Sequence, residues 1–183
     1  MKVLSKIPSR QDLLPVISLI LFIVYSFTIY RMLFQIPSWL YSHAKSDIFF
    51  LAVYVFAAAF VESLLVLAFI FVLNLITPRP IFHDQFTAQG SLMVTACTIW
   101  ALILKYQMDI SSLRGLRAVL VLVTLFALSL LLILVSFSVL MKRYPRIKPM
   151  IEALADRMVI FTWIYAPVGM VSTTIVLVRT IIN

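Results

Sequence analysis

Glu62 makes the strongest chemical statement in the sequence. It stands inside a long apolar run, 15 residues after Asp47 and 14 before Ile76. If that run is a helix crossing a bilayer, its carboxyl lies close to the midplane. An ionised acid turned toward lipid there costs several kcal/mol. Such a group is expected to face a bundle interior, to be protonated, or to line a hydrated cavity. Ala58, Ala59 and Ser63 beside it are small enough to let another helix approach. Hydroxyl partners at matching depth would be Tyr25 and Ser26, Thr95 and Thr98, and Ser172 and Thr173. Two chemistries fit. Glu62 is either a proton- or cation-binding group on a transport path, or a hydrogen-bonded acid joining two helices. The second is favoured, because no other ionisable side chain is expected at that depth.

The remaining chemistry-bearing residues are sparse. His43 and Asp47 are four apart, and His83 and Asp84 are adjacent. Each pair supplies too few ligands for a metal, and about 30 Å of hydrocarbon should separate the two. No metal site and no cofactor are expected. Arg79 and Asp84 can pair across the short loop Thr77–Gln85, as a turn clamp or a contact to a partner protein. Pro167 has no N–H to give to the carbonyl of Trp163, so a kink is expected in the last apolar run. HExxH, GxSxG, Walker-type GxxxxGK[ST] and GxxxG are all absent. Only Gly90, Gly115 and Gly169 occur, too few for a glycine-rich phosphate cradle.

The elements that would position these residues follow from composition. Of 183 residues, 63% are hydrophobic and 12% charged, with a mean hydropathy of +1.11. A soluble domain carries about 25% charged residues. The apolar residues fall in long runs apolar on all sides, without the ten-residue alternation of a membrane barrel. The fold class is therefore all-α: a polytopic transmembrane helical bundle with short loops, read as one domain over 1–183.

Five spans are expected, at 13–34, 48–76, 86–104, 116–141 and 158–182. Pro15 should sit in the first turn of the first, and Ser46-Asp47 should cap the second. The third is the weakest, diluted by Thr87, Gln89, Ser91, Thr95 and Thr98. If re-entrant, it would move the C-terminus to the other side. Ile36–Tyr41 reads as an aromatic boundary loop, and residues 149–157 as a short amphipathic helix along the inner surface.

Net charge is +8, from 15 Lys and Arg against 7 Asp and Glu. With the N-terminus inside, nine basic residues fall on the inner side and six on the outer. The bias favours a cytoplasmic N-terminus and an external C-terminus, in the cell membrane. The basic residues sit between apolar runs, so the partner expected is the lipid bilayer and not nucleic acid. Cys97 is the single cysteine, which excludes an intramolecular disulfide.

Without a catalytic constellation, the function expected is a non-catalytic helper or structural membrane subunit, with a membrane-protein partner or as a homo-oligomer. A small transporter or channel using Glu62 as its ion site is the alternative. A lipid-acting membrane enzyme, with His83 and Asp84 as first candidates, comes third.

Overall fold

A computed structural model describes residues 8–77, 85–107 and 116–182. Its elements are α1 (Arg10–Ser42), α2 (Lys45–Ile76), α3 (Phe86–Gln107), α4 (Leu116–Arg143), α5 (Ile147–Arg157) and α6 (Val159–Ile182). No strand occurs among the described residues. The fold is an all-α helical bundle, and five of its helices are long and apolar enough to cross a membrane. The chain is a multi-pass membrane protein.

Two helix starts differ from expectation for local reasons. α1 begins at Arg10, so Pro15 is its sixth residue and not part of the first turn. Ser9 supplies the cap: its Oγ accepts from the Asp12 amide at 3.2 Å and donates to the Asp12 carboxylate at 2.6 Å. A satisfied helix start upstream outweighs the preference of proline for the first turn. In α2 the amides of Asp47 and Ile48 both reach the Ala44 carbonyl, at 3.0 and 3.2 Å. Asp47 thus lies in the first turn, where the helix dipole favours a negative charge, and is not the cap.

α1 also runs further than its apolar stretch. Its 33 residues cover about 50 Å, well beyond a hydrocarbon core of about 30 Å. The expected boundary loop Ile36–Tyr41 is its last helical segment, with Leu40 and Tyr41 exposed. Pro37 leaves the Leu33 carbonyl without its helical amide, but only near the helix end, where the helix tolerates the loss.

The chain divides into two compact units. One comprises Met1–Leu13 and Ile70–Leu154. In it α3 packs on α4, with the Trp100 and Phe126 rings edge to face at 5.8 Å. The buried face of α4 is one narrow stripe, Leu130, Leu134, Ser138 and Met141, at helical spacing. Thr87 joins α3 to the start of the chain by donating to the Asp12 carbonyl at 3.2 Å.

α3 is the least apolar of the five spans, as expected, and yet the most buried. Half of its membrane window is buried (50%), against 11% for α4 and for α6. Phe86 through Ser91 are all buried. Of the polar residues that dilute its apolar run, Thr87, Gln89 and Ser91 face protein instead of lipid, whereas Thr95 is exposed. At 22 residues the helix covers about 33 Å, enough to cross.

The other unit comprises Leu14–Phe69 and Ala155–Asn183, and holds most of α1 and α2 with all of α6. Leu21, Tyr25 and Ala59 form its core, with Phe56, Phe60, Tyr165 and Ala166 packed around them. α5, expected at 149–157, begins two residues earlier, and Lys148 meets Glu152 one turn on at 3.8 Å.

Candidate functional site

The three helices of the second unit meet on a column of aromatic rings. Phe22 lies 4.6 Å from Phe161, Phe161 stacks on Tyr165 at 5.8 Å, and Tyr165 stacks on Tyr25 at 4.8 Å. Phe56 of α2 completes the column, 6.0 Å from Tyr25. Tyr25 is fully buried, and its hydroxyl donates to the Phe56 carbonyl at 3.3 Å. A buried phenol needs such an acceptor, because no water reaches it.

Spacing on α6 makes this packing possible. Thr162, Tyr165, Ala166, Gly169 and Ser172 recur at three- and four-residue steps, so they share one face. Thr162 shares a hydrogen bond with Ser18 at 2.6 Å, and Ser18 also reaches the Leu14 carbonyl at 2.6 Å. Gly169 provides the close approach: a side chain here would collide with the Phe60 ring and the Tyr25 hydroxyl. Ser172 is buried two residues past the midpoint of the same helix. Pro167 lies on the opposite, exposed side, and the helix continues across it.

Glu62 is not part of this packed interior. It lies within two residues of the midpoint of α2, as expected, but its side chain is exposed. The reason is rotational. Successive residues of a helix are about 100° apart, and positions i and i+4 only about 40°. Ser63 therefore follows Ala59, both buried against the unit. Glu62 follows Ala58, and both are exposed. Ser63 donates back to the Ala59 carbonyl at 2.8 Å, while Glu62 makes no hydrogen bond or ion pair among the described residues.

Of the hydroxyls expected near Glu62, those of Tyr25, Thr95 and Thr98 are engaged elsewhere, and the buried Thr173 hydroxyl has no partner among the described residues. Thr95 donates to the Ser91 carbonyl at 2.9 Å and Thr98 to the Val94 carbonyl at 2.8 Å, within their own helix in the first unit. Thr124, Thr174 and Thr180 do the same, each four residues back. This bond lets a hydroxyl sit in an apolar helix without outside help. Glu62 has no such bond.

Three features were not singled out by residue type and spacing. Gln89 is fully buried, and neither its amide nitrogen nor its amide oxygen has a partner among the described residues. Gly169 is a contact seat, foreshadowed by the small residues on its helix face. A shallow groove of about 470 Å³ lies along Phe50, Thr174, Ile175, Val178, Arg179 and Ile182. Within it the Arg179 guanidinium covers the Phe50 ring at 4.2 Å, a favourable cation–π distance. The His43 ring is engaged by the Ser42 hydroxyl at 2.7 Å. Arg79, His83 and Asp84 lie outside the described residues.

Comparison with protein-family models, curated proteins and solved structures gives no match.

Proposed function

We propose that this chain is a non-catalytic structural or helper subunit of a membrane assembly, and that side-by-side helix contact is its working activity. The observation that carries this reading is the exposure of Glu62 at the middle of α2. A polar group on a lipid-facing surface is expensive, and a protein surface relieves that cost by supplying hydrogen bonds. The aromatic column supports the reading from inside, because it fills the junction of α1, α2 and α6 with packed rings. In this reading the chain sits in the cell membrane with its N-terminus cytoplasmic and its C-terminus outside. α5 then lies along the inner surface.

The test is photo-crosslinking in native membranes from a reactive residue at Val61, beside Glu62. The assembly reading expects a discrete adduct with a membrane protein. Only lipid adducts would overturn it. A small transporter or channel is the second reading, and the buried, unpartnered amide of Gln89 favours it as a place for water or a polar solute. Ion or proton flux in reconstituted vesicles, lost in Glu62→Gln, would establish that reading in place of the first.

A further inference from the structure

We infer that the groove between the start of α2 and the end of α6 is a binding site for one phospholipid, with its phosphate on Arg179 and an acyl chain along the apolar lining. The inference is independent of what covers Glu62.

Depth places the cation at the headgroups. Phe50 is twelve residues from Glu62 at the middle of α2, about 18 Å along the helix, and half a hydrocarbon core is about 15 Å. The Arg179 guanidinium, 4.2 Å over the Phe50 ring, therefore lies just outside the hydrocarbon, at the level of lipid phosphates. Arg179 is exposed and makes no ion pair among the described residues. A guanidinium is always charged, so no protonation state has to be assumed. Stacking on a ring uses its face and leaves the in-plane N–H donors for an acid, and that planar fork matches a phosphate.

Toward the bilayer centre the groove is apolar. Ile175 and Val178 line it, and the Thr174 hydroxyl gives its proton to the Met170 carbonyl at 2.9 Å. A cation at the surface end and apolar side chains below it repeat the order of a phospholipid, from phosphate to acyl chain. Asp47 is exposed one turn nearer the water than Phe50, on the same ridge of α2. It offsets the positive charge, so the site recognises the phosphate itself and not the net charge of an anionic lipid. A partner protein would have to bring an acid to this one depth. Lipid supplies a phosphate at this depth on every side, together with a flexible chain that fills a shallow furrow.

The test is native mass spectrometry of the full chain, extracted in a sugar-headed detergent that carries no phosphate. One phospholipid is expected to stay on each chain. Arg179→Leu should lower the bound fraction at least about fivefold, because the charge-assisted bonds to phosphate are lost. Val178→Trp keeps the cation but fills the groove, and should lower the bound fraction as much. Arg143→Leu removes another exposed cation set beside a ring, 5.8 Å from Tyr144, and should leave the bound lipid unchanged. Unchanged helicity by circular dichroism verifies that each variant folds. No lipid on the parent chain, retention in either groove variant, or equal loss in Arg179→Leu and Arg143→Leu would overturn the site. A photoreactive residue at Val178 in native membranes should give lipid adducts. A discrete protein adduct there would overturn the lipid site and leave the assembly reading at Glu62 standing.

Discussion

The Tyr25 hydroxyl occupies the space that a side chain at Gly169 would need. That single contact ties the middle of α1 to the middle of α6. The Phe60 ring closes the same space from α2. The position therefore has little freedom, and its consequences can be measured.

Gly169→Ala should destabilise the protein although alanine is the better helix former. Helix propensity contributes about 1 kcal/mol in favour of alanine. Overpacking against the base of the Phe60 ring costs about 1–3 kcal/mol, and the ring cannot withdraw without disturbing α2. A net loss is expected in reversible unfolding from detergent micelles, and larger for Gly169→Val. A variant as stable as the parent would show that the three helices have slack at this level.

Tyr25→Phe should separate the hydrogen bond from the ring. The stacking on Tyr165 and Phe56 survives, so the loss should be about 0.5–1.5 kcal/mol. Tyr25→Ala removes the ring and should cost about 3–5 kcal/mol. The two sites should also couple: with Tyr25→Phe in place, the penalty of Gly169→Ala shrinks, because the hydroxyl it struck is gone. A double-mutant cycle with a coupling energy near zero would contradict the contact.

Thr162→Val and Thr124→Val make a matched pair. Thr162 bonds across helices to Ser18, whereas Thr124 bonds within its own helix on an exposed face. The first substitution should cost about 0.6 kcal/mol, the average for interhelical hydrogen bonds in membranes. The second should be near neutral. Equal effects in the same unfolding assay would mean that Ser18–Thr162 contributes nothing beyond local satisfaction.

Gln89→Met decides what the buried amide is for. If the site is dry, replacing an unpartnered amide by an apolar chain of similar size should stabilise by about 1–3 kcal/mol. If water or a solute is held there, the same change should destabilise the protein and reduce any measured flux. Unfolding and vesicle flux, taken on one preparation, distinguish the two.

Composition alone determined that this is an all-α membrane protein, because 12% charged residues cannot cover a water-soluble globule and long runs apolar on all sides suit only lipid. The centre of α2 and the depth of Glu62 were also legible, since rise per residue is fixed once a helix is granted. Which way Glu62 points was not. Ala58 and Ala59 are chemically alike, and only the packing of Ala59 against Leu21 and Tyr25 decides which ridge turns inward. The same holds for α3, where Thr87, Gln89 and Ser91 read as weakness until tertiary contacts bury them. Hydropathy reports how much lipid a segment tolerates and carries no rotational phase when every side is apolar. That phase is set by which small and aromatic residues interlock, and Gly169 meeting Tyr25 and Phe60 is where this chain sets it.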